Sequence, residues 1–103
     1  MERILWKAKV LPGKEEEYVS RHNNIWPEML ENLKAQGISN YSIFKSGRDI
    51  IGYYECESVE KMKRVKTSNP VAAQWAESMK GIMEIETEPD GTAKVFTQVF
   101  YMD

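Results

Sequence analysis

The chain has 103 residues, of which 42% are apolar and 29% charged, with a formal charge of −2; this is the make-up of one soluble globular domain over residues 1–103. Charges of both signs are interspersed, so no basic stripe suggests a nucleic-acid partner, and no apolar run reaches membrane-spanning length. The first residues lack the apolar stretch of a signal peptide, and the single cysteine, Cys56, cannot close an internal disulfide, which together predict a cytoplasmic, reducing location.

Residues 3–11 alternate, with Ile4, Trp6, Ala8 and Val10 on one face, and read as a strand that Pro12-Gly13 ends. From Lys14 to Gln36 the period lengthens. Tyr18, His22, Ile25, Trp26, Met29, Leu30 and Leu33 form a helical stripe. Glu15, Glu16 and Glu17 sit in the first turn, where the helix dipole favours acid, and Gly37 is placed to end the helix. Pro27 interrupts this pattern. It has no N–H for the Asn23 carbonyl and biases Trp26 out of helical conformation, so a kink or restart is expected there.

After Gly37, Ile38–Lys45 and Ile50–Glu57 read as a hairpin across Ser46-Gly47-Arg48-Asp49. Ser58 is placed to cap a short helix carrying Val59, Met62 and Val65, and Asn69-Pro70 to start another with Val71, Trp75, Met79 and Ile82 inward. Pro89-Asp90-Gly91 is a turn. Val95–Tyr101 alternates as a last strand, with apolar or aromatic residues on both faces. The order is that of an α+β, ferredoxin-like βαββαβ domain with a four-stranded antiparallel sheet. Helices cover one side of such a sheet. Apolar residues on the second face predict a cover, most simply a second copy that makes a homodimeric α+β barrel; the alternative is a monomer with a ligand cleft there.

His22 is the one histidine, so proton transfer near neutral pH falls to it. Tyr18 and Trp26, four residues to either side, share its helix face. From the residues alone, His22, Tyr18, Tyr41 and Trp75 fit core packing as well as a site. Trp6 reads as sheet core and Trp26 as packing that braces the His22 turn. Cys56 reads as a buried small hydrophobe, since no second histidine is there to activate it. Glu84, Glu86, Glu88 and Asp90 read as a solvated edge without the ligand spacing of a cation loop.

The segment Glu17-Tyr18 with Arg21-His22-Asn23-Asn24-Ile25-Trp26-Pro27-Glu28 resembles the L-rhamnose mutarotase family. So do Asn40-Tyr41-Ser42-Ile43, Gln74-Trp75-Ala76, Met79 and Gln98-Val99-Phe100-Tyr101, and the resemblance runs over essentially the full length. It implies a dimeric ferredoxin-like enzyme, without cofactor or metal, that interconverts the α and β anomers of a 6-deoxy monosaccharide. It implies that His22 is the proton donor and that Tyr18, Tyr41 and Trp75 contact the sugar. Ala76 departs from the family, which carries a second tryptophan there; this opens the question of the sugar, L-fucose included.

The chemistry suits these residue types. Mutarotation needs an acid at the ring oxygen and a base at the anomeric hydroxyl, and the reverse on closure. General acid–base catalysis supplies about 10²–10⁴-fold. An indole can face the C–H side of a pyranose while phenols meet its hydroxyls. Two other classes fit the same fold: a small monooxygenase with His22 as a haem ligand, and a dimeric binding module without turnover.

Overall fold

A computed structural model describes residues 1–91 and 93–103. Eight elements follow one another: β1 (Glu2–Val10), α1 (Glu15–Asn23), α2 (Pro27–Ala35), β2 (Ile38–Ser46), β3 (Asp49–Cys56), α3 (Val59–Ser68), α4 (Val71–Ser78) and β4 (Met83–Ile85). The strands make one antiparallel sheet in the order β2-β3-β1-β4. This is the strand order of the ferredoxin-like arrangement.

Register sorts the side chains onto two faces. Ala8 pairs with Ile50 and Trp6 with Gly52, and these residues face the helices. There Ala8, Val10 and Ile50 are buried with Tyr18 of α1 and with Met79 and Ile82, which follow α4. A second cluster joins Met29 of α2 to Val71 and Ala72 of α4. Trp75 packs against both clusters and ties them together. Cys56 is fully buried, and its burial pushes the thiol pKa up.

Local signals explain the element ends. Trp26 is extended (φ −60°, ψ 134°) and Pro27 opens α2, so the expected helix break is a full restart. The Ser58 hydroxyl accepts from the Lys61 N–H at 3.2 Å and caps α3. The Asn69 side chain accepts from the Val71 N–H at 2.9 Å at the head of α4.

The fourth strand corrects the sequence reading. It is Met83–Ile85, paired with Val10 and Ala8, and Val95–Tyr101 forms no ladder. The short acidic run around Glu84 hid a three-residue strand, which takes the edge of β1 that the later segment was assigned. Beyond that strand Thr87 and Ala93 make an isolated antiparallel bridge, and residues 94–103 have no regular secondary structure. Tyr101 lies under the Arg3 guanidinium at 3.8 Å, on the face of the sheet away from the helices. Val95, Val99 and Phe100 are exposed in this tail, as are Phe44 and Ile51 on the same open side of the sheet.

Candidate active site

The helix restart places the candidate residues. Because α1 stops at Asn23, His22 lies in its last turn, beside the gap before Trp26. Arg21 anchors that turn: one guanidinium nitrogen donates to the Ser78 carbonyl at 2.7 Å and another to Glu17 at 3.1 Å. The His22 Nδ1 lies 3.0 Å from the Tyr18 carbonyl oxygen. A carbonyl only accepts, so Nδ1 carries the proton of that bond and Nε2 is the nitrogen left for exchange.

Aromatic rings surround the imidazole. Tyr18 stacks on it at 4.4 Å between centroids, and Trp75 meets it edge-on at 5.6 Å. Trp26 in turn meets Trp75 edge-on at 5.1 Å. Trp26 therefore braces Trp75, which in turn contacts the imidazole. His22, Trp26 and Trp75 are all half-buried.

The second half of the cluster comes from the sheet. Asn40 and Tyr41 together oppose Tyr54, a β-bulge where Asn40 takes a left-handed φ of 49°. Asparagine tolerates that region better than most residues, and its side chain donates to Glu55 at 2.7 Å. The extra residue turns Tyr41 to the helix side, as bulges beside sites often do. There the Tyr41 ring lies 5.1 Å from Tyr54, and its hydroxyl accepts from the Trp6 indole N–H at 3.1 Å.

The two phenols differ in exposure, Tyr18 being buried and Tyr41 partly exposed, but the pKa of each is raised above the usual range. Loss of water around the Tyr41 hydroxyl, only partly offset by the Trp6 hydrogen bond, pushes its pKa up to about 12. Burial, with a smaller contribution from nearby Tyr41, holds the Tyr18 phenol well above its usual range. Both are hydrogen-bond donors, not bases, at neutral pH. Among the described residues the buried Tyr18 hydroxyl has no hydrogen-bond partner. Such a group costs about 1–3 kcal/mol and calls for a polar guest.

The structure thus brings Tyr18, His22, Tyr41 and Trp75 to one side of the sheet. Ala76 is exposed on α4, so the absent second indole leaves the His22–Trp75 contact intact. Clefts of about 370 and 330 Å³ open elsewhere, outside α1 and along the β1–β4 edge, and neither is lined by His22, Tyr41 or Trp75. The aromatic cluster of a single chain is a half-open surface. Trp6, which reads as sheet core in the sequence, is half-buried and bonded to Tyr41. The alternation of β1 put it on the correct face; only the strand register sets it beside Tyr41. Among the described residues no group of three His, Cys, Asp or Glu side chains could hold a metal ion, and no helix is long and apolar enough to cross a membrane.

Comparison with known proteins extends this picture. A family model described as L-rhamnose mutarotase matches residues 3–102. An L-rhamnose mutarotase of Oceanobacillus iheyensis is 38% identical, with both chains covered in full. One of Bacillus subtilis is 40% identical over 87% of this chain and 88% of its own. The crystal structure of an L-rhamnose mutarotase from Formosa agariphila superposes with a TM-score of 0.77 at 27% identity, covering 100% of both chains.

Proposed function

The chain belongs to the L-rhamnose mutarotase family, and from that premise we propose that it interconverts the α and β anomers of L-rhamnose by acid–base opening and closing of the pyranose ring. The observation that carries the mechanism is the bond from His22 Nδ1 to the Tyr18 carbonyl. It fixes the ring's orientation and reserves Nε2 for the sugar. In the opening direction the Nε2–H of the imidazolium protonates the ring oxygen while a solvent base takes the anomeric proton, which leaves a neutral ring whose one proton stays on Nδ1, held by the Tyr18 carbonyl. The C–O bond breaks, the aldehyde carbon rotates, and the same transfers in reverse close the other anomer.

Tyr18 and Tyr41 remain protonated through the cycle and donate to sugar hydroxyls. Binding gives the Tyr18 hydroxyl the partner it lacks in the free chain. Trp75 offers its ring to the C–H side of the sugar. Orientation of this kind adds to the general acid–base term.

The working form is a homodimer of one-domain chains, residues 1–103, formed through the open face of the sheet. Exposed Phe44 and Ile51 supply its apolar contact. The exposed tail residues from Val95 to Phe100 seat on the partner, next to Tyr101, which packs on Arg3 of its own chain. A reduced, fully buried Cys56 suits the cytoplasm.

Saturation-transfer NMR across L-rhamnose, L-fucose, D-glucose and D-galactose tests the activity. Exchange between L-rhamnose anomers is expected to accelerate most, L-fucose less, and the two D-hexoses least. Exchange no faster than in buffer for every sugar would overturn the reading.

A further inference from the structure

The sheet floor beneath the site holds a pair of residues with a shared geometry. Trp6 of β1 stands opposite Gly52 of β3. The indole lies over the glycine so closely that a Cβ added at Gly52 would overlap its five-membered ring and the adjoining carbons. The glycine's backbone is not in the left-handed region, so its small size is needed for space and not for conformation. That space lets the indole lie flat across the neighbouring strand, with Nε1 3.1 Å from the Tyr41 hydroxyl two strands away. The bulge at Asn40 brings Tyr41 to meet it.

We propose that Trp6 is a positioning residue for sugar binding: seated on Gly52, its indole N–H occupies an acceptor site of the Tyr41 hydroxyl and thereby directs the phenolic proton toward a hydroxyl of the bound deoxyhexose. This rests on the reading of Tyr41 as a sugar contact. An indole N–H donates and never accepts. With one lone pair taken by Trp6, the Tyr41 O–H cannot turn inward to bond the indole nitrogen. The phenol is presented as a donor of set direction, and no rotor freedom is lost when sugar arrives. Preorganisation of this kind shows in affinity. The same indole bond favours the charged form of the phenol, opposing the effect of burial.

The test combines a double-mutant cycle with a spectroscopic signature. Trp6→Phe keeps an aromatic ring on Gly52 but removes the N–H. It is expected to raise the KM for L-rhamnose about three- to tenfold, the range of one hydrogen bond, with kcat little changed. Tyr41→Phe is expected to cost at least as much, and Trp6→Phe added to it nothing further. In ¹⁵N-tryptophan-labelled protein, Tyr41→Phe is expected to shift one of three indole N–H signals upfield and speed its solvent exchange, a readout that needs no activity. Gly52→Ala is expected to move the same signal by displacing the ring. Additive penalties for Trp6→Phe and Tyr41→Phe, or an indole signal indifferent to Tyr41→Phe, would overturn the proposal while leaving the mutarotase reading in place. A wild-type protein that does not speed anomer exchange sinks that reading and the sugar role of Trp6 together, even if the indole signal moves.

Discussion

The two faces of the sheet leave different groups unsatisfied. On the helix side the apolar residues are closed in: Ala8, Val10 and Ile50 are nearly inaccessible beneath the helices. What is left unpartnered or partly exposed there is polar or aromatic, namely the buried but unpartnered Tyr18 hydroxyl, the half-buried His22 imidazole and the Trp6–Tyr41 pair. On the other side Tyr53 donates to Glu55 at 2.8 Å, and among the described residues the Arg3 Nε makes no hydrogen bond but lies 3.7 Å from the Glu55 carboxylate. There the loose ends are apolar: Phe44, Ile51 and the tail residues Val95, Val99 and Phe100. An unsatisfied hydroxyl asks for a polar guest and exposed apolar area asks for a large dry partner. The difference assigns chemistry to one face and assembly to the other.

The sharpest way to break this division is at His22. His22→Ala is expected to slow L-rhamnose anomer exchange by about 10²–10⁴-fold. Its sedimentation should match the wild type, because the imidazole is half-buried beside a helix end and lies on the face away from the proposed interface. A variant that exchanges anomers at the wild-type rate removes His22 from the chemistry.

The opposite face calls for the opposite result. Ile51→Lys places a cation between Lys7 and the exposed Phe44, its partners in the two ladders. Dimer dissociation is expected to rise by about tenfold or more, read by analytical ultracentrifugation across a dilution series. An unchanged dimer would move the interface elsewhere.

Tyr18→Phe sharpens the comparison, since one change should pull stability and activity apart. Deleting a buried hydroxyl that lacks a partner is expected to stabilise the free protein by about 1 kcal/mol. That raises Tm by roughly 4–8 °C in a chain of this size, at fixed protein concentration. The same change should slow exchange several-fold. Stability and rate falling together would mean that the hydroxyl has a partner in the folded chain.

The smallest effect is alkaline. The Tyr41 phenol titrates at about 12 folded against 10.0 unperturbed. Below pH 10 both states keep this proton and its contribution to stability is fully present. Between pH 10 and 12 the unfolded chain releases it first, so stability falls as pH rises. Urea midpoints measured from pH 9 to 11 should decline for the wild type and less steeply for Tyr41→Phe. Parallel declines would place the Tyr41 hydroxyl in water.

Much of this was legible in the chain because the signals are local. Three strands lie within about two residues of where alternation put them, Pro27 restarts the helix, and Ser58 caps α3. Spacing alone put Tyr18 and His22 on one helix face, where they do meet, but it put Trp26 there too, and the restart at Pro27 takes Trp26 out of that helix. Other features depend on contacts across the chain. Periodicity in Val95–Tyr101 describes a strand's side chains but not which edge it meets, and Met83–Ile85 takes the edge of β1. The Trp6–Gly52–Tyr41 arrangement needs the register of three strands and a bulge at Asn40. No spacing within one segment encodes it.

The account turns on the protonation pattern of a single imidazole, and the presence of one histidine makes that pattern directly visible. Protein labelled with ¹⁵N-histidine gives one pair of ring-nitrogen signals without assignment. Recorded on the neutral ring, the spectrum should show the proton on Nδ1, held by the Tyr18 carbonyl, and an Nε2 signal that moves when L-rhamnose is added. A ring protonated on Nε2 and unmoved by the sugar would contradict the proposed chemistry at its source.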